Sequence, residues 1–237
     1  LNHDDPWIRA MAARIGSRVF FFSRQSTLAE GAFVADGEIR LRWEGKESRI
    51  CAISDMKLFG GHNVENALAA CGAAYLAGVS TADMAKVLTS FTGVEHRIEP
   101  VATINGVPYY NDSKATNPES SIKALEAFAG HVLLIAGGRD KNTDLTEFMR
   151  LVRERADGLI LIGEATDRFE TAARKQGVTN IFRAASLEAA VEKVRTEAAP
   201  PQVVLLSPAC ASYDMFDNFE QRGRVFKELV RSGGKSA

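Results

Sequence analysis

The sequence predicts an α/β protein in two parts, the second a mostly parallel, doubly wound sheet. Three observations carry this. The runs "HVLLIAGG" (131–138), "GLILIGEA" (158–165) and "PQVVLLSPA" (201–209) are apolar without alternation, as strands covered on both faces are. Amphipathic helical stretches separate them, marked by Leu145, Phe148, Met149 and Val152, then by Leu187, Ala190, Val191 and Val194. Ahead of residue 94 the pattern is different, with alternating strands, tight turns and two helices.

Taken in order, "NHDDPWIRAMAARIG" offers Asp4 or Asp5 as an N-cap, Pro6 at the first helical position and Gly16 as a stop. "RVFFFS" reads as a buried strand. "AFVADGEIRLRWEGKESRICAI" turns at Asp36-Gly37 and Glu44-Gly45, which predicts an antiparallel meander. "GGHNVENALAACGAAYLAG" predicts a helix ending at Gly78, rich in small residues suited to close packing. Thr81 begins another helix, with Met84, Val87, Leu88 and Phe91 on one face. "FTGVEHRIEP" reads as a linker, so we place the parts at 1–93 and 94–237. "NIFRAA" (180–185) joins the strand candidates of the second part.

At 237 residues, 46% hydrophobic and 25% charged, the chain has the composition of a soluble globular protein able to bury a core without staples. With 29 basic and 30 acidic residues, no overall field points to nucleic acid, and we expect no such partner. The apolar runs are too short to span a bilayer, so we expect no membrane insertion. Cys51, Cys71 and Cys210 are odd in number and far apart, as reduced cytoplasmic thiols are. The start, "LNHDDPW", has no methionine, and we expect a longer parent chain.

Function points to strand ends. "YYNDSKATNPES" (109–120) runs from a strand through a polar turn into a helix. Capping accounts for Asn117, and turn-tying for Asp112 and Thr116. It does not account for Lys114, a cation placed against the dipole of the following helix unless an anion lies beside it. "IAGGRDKNTD" (135–144) repeats the arrangement: Gly137-Gly138 would let a ligand approach, with Arg139 and Lys141 adding charge. "LLSPACASYDMFDNFEQRG" (205–223) is the third such end, where Ser207, Ser212 and backbone amides would receive a carboxylate. In a parallel sheet the three converge on one edge.

Asn63 and Asn66 lie three apart at a helix start, placed to read a purine edge or to cap. His96 and Arg97 fall in the linker, where a cleft would expose them. Other signals fail. "GGKSA" (233–237) imitates a P-loop end, but Leu229 stands where its first glycine belongs. His3, His62, His96 and His131 show no metal spacing. Cys210 has no identifiable base and reads as a small buried residue.

The motifs "LNHDDPW", "GGHNVENALAA", "FTGVEHRIE", "NDSKATNPES", "GGRDKNTD" and "LSPACASYDMFDNFEQRG" together resemble the Mur ligase family, in order and spacing, over essentially the whole chain. Within it, they resemble the glutamate-adding member. The resemblance implies the remainder of a central ATPase domain (1–93) followed by a Rossmann-like amino-acid-binding domain (94–237). It places the family's P-loop, magnesium-binding glutamate and carbamylated lysine ahead of Leu1. The implied reaction uses ATP and Mg2+ to activate the carboxylate of UDP-N-acetylmuramoyl-L-alanine as an acyl phosphate, which the amine of D-glutamate attacks, in the cytoplasm, during peptidoglycan synthesis. The resemblance puts Asn63 and Asn66 at adenine, Arg97 at the phosphates and Asp112 at ribose. It puts His96 and Lys114 near the reacting groups as catalytic residues. Thr116, Lys141, Ser212 and the backbone of Phe219 would hold D-glutamate. No metal ligand is implied in this stretch, Arg139 is left out, and we expect a monomer that is inactive in isolation. A Mur-type ligase with another acceptor and a non-catalytic ligand-binding fragment are the alternatives.

Overall fold

The structure, a computed structural model, describes residues 1–232; "GGKSA" lies outside the described residues. The chain divides into two compact units, Leu1–Gly93 and Val94–Ala237.

The first unit opens with helix α1 (Pro6–Met11), capped by Asp5, whose carboxylate accepts from the amides of Trp7 and Ile8. Strands β1 (Phe22–Ser23), β2 (Gly31–Ala35), β3 (Glu38–Trp43) and β4 (Lys46–Ala52) form one sheet in that order. β2, β3 and β4 are the expected meander, and Asp36, Gly37, Glu44 and Gly45 all take the positive φ that such tight turns require. α2 (Gly61–Leu76) and α3 (Thr81–Ser90) pack on it. The small residues of α2 have a reason: a Cβ on Gly72 would lie 2.6 Å from the Phe20 ring.

Two expectations need correction here. "RVFFFS" is a strand only at Phe22–Ser23, and Phe20 to Phe22 are half-buried, because the segment lies on the sheet edge. Its other side is occupied by the chain start: the Phe22 amide donates to Leu1 O (2.9 Å) and the His3 amide to Phe22 O (2.9 Å). The apolar face of α3 is buried only at Met84, while Val87 and Phe91 are 59% and 44% exposed.

The second unit holds β5 (Glu99–Ile104), β6 (Val107–Asn111), α4 (Pro118–Glu126), β7 (Val132–Gly137), α5 (Thr146–Arg155), β8 (Ala156–Ile162), α6 (Thr166–Lys175), β9 (Ile181–Arg183), α7 (Leu187–Glu197), β10 (Val203–Leu206) and α8 (Phe219–Ser232). Sheet order is β5-β6-β10-β7-β8-β9, parallel except for β5. β7, β8 and β10 are buried nearly throughout, as their unbroken apolar sequence requires. Leu125, Phe148 and Phe169 of α4, α5 and α6 fill one core, and Val191, Val194, Phe226 and Val230 of α7 and α8 fill the other. The sheet is therefore doubly wound. From β7 the chain moves outward through β8 and β9, then returns to lay β10 between β6 and β7. The direction of winding reverses there, so the loops after β7 and β10 part and leave a crevice at the carboxyl edge. The β5–β6 hairpin was not anticipated; Asn105-Gly106, both with positive φ, make its turn.

Candidate active site

β6, β10 and β7 are neighbours, so the three polar loops lie side by side, as expected from the sequence. Main-chain bonds lock them together. The Asp112 amide donates to Leu206 O (2.8 Å), the Gly137 amide to Pro208 O (2.8 Å), and Arg139 and Ala211 exchange bonds of 2.9 and 3.1 Å.

Gly137 and Gly138 do a different job from the one expected. Both have positive φ, and a Cβ on them would lie 2.1 Å from Ile162 O and 2.4 Å from Ala211 O. Neighbouring backbone, rather than a ligand, demands glycine there. Arg139 pairs with Glu164 (3.1 Å).

Asp112, the first residue beyond β6, is buried. Its Oδ2 accepts from Ser207 Oγ (2.7 Å) and its Oδ1 from the Ile98 amide (3.2 Å), so it ties a more distant segment and not its own turn. Burial pushes its carboxyl up to about 7, against the lowering effect of both hydrogen bonds. Ser207 is consumed by this cluster, since its Oγ also lies 2.9 Å from Ser121 Oγ, and is not free for a ligand carboxylate.

Arg222, on α8, is fully buried. Its guanidinium donates to Ser113 Oγ (3.0 Å) and O (2.9 Å) and to Cys210 O (3.1 Å). One side chain thus clamps the loop after β6 to the loop after β10. Desolvation lowers its pKa to about 10, and among the described residues no carboxylate pairs with it. Cys210 beside it is buried, its thiol pushed up to about 12 by desolvation, as an inert thiol is.

His96 is buried, contrary to the expected exposure, because its ring is packed against Gly223 and stands edge-to-face with Phe219 at 5.9 Å. Its Nδ1 lies 2.9 Å from Asn111 Nδ2, and its carbonyl accepts the Lys114 amide (3.1 Å). Desolvation lowers its pKa. Lys114 itself is exposed, its Nζ 3.9 Å over the Phe219 ring. Asn117 caps α4 through the Ser120 amide (2.8 Å).

Of the remaining predicted residues, Thr116 is half-buried and Ser212 buried, while Arg97 and Lys141 are exposed and make no ion pair among the described residues. Phe219 opens α8, so its amide belongs to the first turn, where no intrahelical acceptor exists. In the first unit, Asn63 donates to Phe59 O (2.8 Å) and Asn66 is exposed. Sequence reasoning missed Arg222, Asn111, Glu99 and Gly223. Arg222 and Gly223 stand inside "NFEQRG", where an arginine with no acidic residue three or four positions away was the available signal.

Two family models match the chain: the Mur ligase middle domain over residues 1–74, and the Mur ligase glutamate ligase domain over residues 96–210. The chain belongs to the Mur ligase family. It is 46% identical to the UDP-N-acetylmuramoylalanine–D-glutamate ligase of Pelotomaculum thermopropionicum over 232 residues, 98% of this chain and 51% of that protein. It is 47% identical to the ligase of the same name from a Thermoanaerobacter species, covering 97% of this chain and 51% of that one. The chain thus spans about half the length of these relatives. Among solved structures, a pseudomurein peptide ligase type C from Methanothermus fervidus superposes with a TM-score of 0.67 at 16% identity, over 98% of this chain and 56% of that one. The MurF ligase of Thermotoga maritima in complex with ADP gives 0.61 at 17% identity, over 98% and 53%. These likenesses show that the Mur ligase fold is shared.

Proposed function

We propose that this chain is the nucleotide- and acceptor-binding part of an ADP-forming ligase that joins D-glutamate to UDP-N-acetylmuramoyl-L-alanine in the cytoplasm. The observation that carries this is the convergence of three polar loops at the reversal of winding, with Lys114, Lys141, Thr116 and Ser212 on loops tied rigidly together. The names of the relatives supply the acceptor, and among the described residues no helix is long and apolar enough to cross a membrane.

In this proposal Lys141, Thr116, Ser212 and the Phe219 amide receive the two carboxylates of D-glutamate. They would hold its amine against the acyl carbon, a positioning contribution to rate. Lys114, whose flat contact with Phe219 leaves its charge unneutralised, lies near the reacting groups with His96 and stabilises developing negative charge. Asn63 and Asn66 serve adenine, Arg97 the phosphates, and Asp112 the ribose. The nucleotide would supply the activating phosphoryl group.

Magnesium fits these residues poorly. Asp112 is buried and already accepts two hydrogen bonds, and Glu95 and Glu99 share the Lys227 ammonium at 2.5 and 2.9 Å.

The test is kinetic. In the full-length ligase, Lys141→Ala and Ser212→Ala raise the KM for D-glutamate at least about tenfold more than that for ATP, the loss of a charge-assisted bond each. Equal effects on both substrates would reject the assignment, and acceptor screening would then identify a different Mur-type ligase. The isolated 237-residue chain should not turn over ATP.

A further inference from the structure

His96 carries a group the proposal above leaves unused. Its Nε2 is buried and has no hydrogen-bond partner among the described residues; Glu95 Oε1, at 3.6 Å, is too far. Its Nδ1 faces Asn111, and the orientation of that amide is decided by its other neighbours. Asn111 Oδ1 accepts the Ser113 amide (3.2 Å), and Asn111 Nδ2 donates to Glu99 Oε2 (2.9 Å). Turning the amide over would set donor against donor at Ser113 and oxygen against carboxylate at Glu99. The atom facing Nδ1 is therefore an N–H, and Nδ1 must accept.

Glu99 is held in turn. Its Oε2 accepts the His96 amide (3.0 Å), and its Oε1 accepts Lys227 Nζ from α8. Gly223, also on α8, leaves room for the ring: a Cβ there would lie 2.2 Å from His96 Nδ1.

We propose that Asn111 and Glu99 are positioning residues that lock His96 as the neutral tautomer protonated on Nε2. His96 then serves as a hydrogen-bond donor to an oxyanion, phosphate or carboxylate, and not as a base. The role in the reaction rests on the ligase assignment; the lock does not. A buried donor without an acceptor is costly and persists where something else requires it. The charges facing the ring are Glu95 on its own segment, Glu99 on β5, and Lys227 and Arg224 on α8. Burial and the two cations oppose a charged ring, while the two carboxylates favour it. A carboxylate at position 111 would shift this balance.

Long-range 1H–15N correlation of the imidazole rings in the 237-residue chain tests the lock, with His96 assigned by the signal missing from His96→Gln. The wild type should show His96 as the Nε2–H tautomer, its protonation held below the ordinary imidazole value by burial. Asn111→Asp should place an acceptor against Nδ1, populate the Nδ1–H form and move protonation to higher pH. An Nδ1–H tautomer in the wild-type chain overturns the lock, and that measurement needs no variant to fold. An unmoved midpoint in a folded Asn111→Asp chain overturns it as well. In the full-length ligase, Asn111→Asp should lower kcat about tenfold or more above the His96 midpoint, where the Nδ1–H tautomer leaves Nε2 bare, with the KM for ATP unchanged, and activity should recover as pH falls and the imidazolium restores Nε2–H. A locked tautomer with variant activity that falls further as His96 protonates is the behaviour of a base, and overturns the donor role while leaving the lock in place.

Discussion

Replacing Asp112 by Asn stabilises the second unit at neutral and alkaline pH. The carboxyl titrates near 3.8 when unfolded and at about 7 when folded, because burial penalises its charged form. A group whose folded pKa is raised contributes stability that is complete below its unfolded pKa and disappears as pH rises through the folded value. The interval corresponds, at about 1.4 kcal/mol per unit, to about 4 kcal/mol lost between acid and alkaline pH. Asparagine keeps the geometry. Its Oδ1 accepts the Ile98 amide as now, and its Nδ2 donates to Ser207 Oγ. The Ser207 hydroxyl then turns its proton to Ser121 Oγ, 2.9 Å away. Urea unfolding of the wild type and Asp112→Asn at pH 5 and pH 8, followed by far-UV circular dichroism, measures the difference. The variant's advantage should grow by about 3 kcal/mol across that range. Trp7 and Trp43, both in the first unit, provide an internal control through fluorescence and should be indifferent to the change. A variant less stable at pH 8, or an advantage equal at both pH values, would refute the reasoning.

Gly223→Ala would drive a methyl to 2.2 Å from His96 Nδ1 and 3.1 Å from Asn111 Nδ2, and overpacking of this kind costs about 1–3 kcal/mol, readable in the urea midpoint of the second unit. Arg222→Met removes the donors of Ser113 O and Cys210 O; leaving buried carbonyls unsatisfied costs about 1–3 kcal/mol, and Arg222→Lys, lacking the fork, should recover less than half. The three cysteines are buried and their thiols raised, Cys71 and Cys210 to about 12, so Ellman's reagent at pH 8 should react only as the chain unfolds, and rapid modification of any one of them would contradict this burial.

What was legible in the sequence was local. The meander followed from Asp36-Gly37 and Glu44-Gly45 because a tight turn needs residues tolerant of positive φ. The buried strands followed from unbroken apolar runs, and α2 and α4 from Gly78 and Asn117 at their ends. Convergence of the three loops also followed, since parallel strands end on one edge. The failures share a cause as well. The burial of His96 depends on Gly223, far along the chain on α8, and the role of Arg222 depends on two loops it meets only in the fold. Phe20 to Phe22 look like a core strand, but their partner is the chain start, which no pattern identifies. Gly137 and Gly138 announced a close approach without saying that backbone makes it.

The site separates its polar residues into two sets, and the separation bears on function. Ser113, Ser207, Asn111 and Arg222 are buried and engaged with one another, with neighbouring side chains or with main chain, so they are committed to shape. Some of these anchors directly adjoin a residue proposed for a ligand. Ser113 precedes Lys114, and Ala211, bonded to Arg139, precedes Ser212. Fixing the first set restricts the second, at the cost of burying an arginine and a carboxylate in a sheet edge that apolar residues would stabilise better. A protein that tolerates that cost holds those loops for a reason other than stability. Under the proposed function a dianionic acceptor, which must be positioned and charge-balanced at once, would supply one: among the described residues no carboxylate pairs with Arg222, so its positive charge would be available behind the loops that receive it.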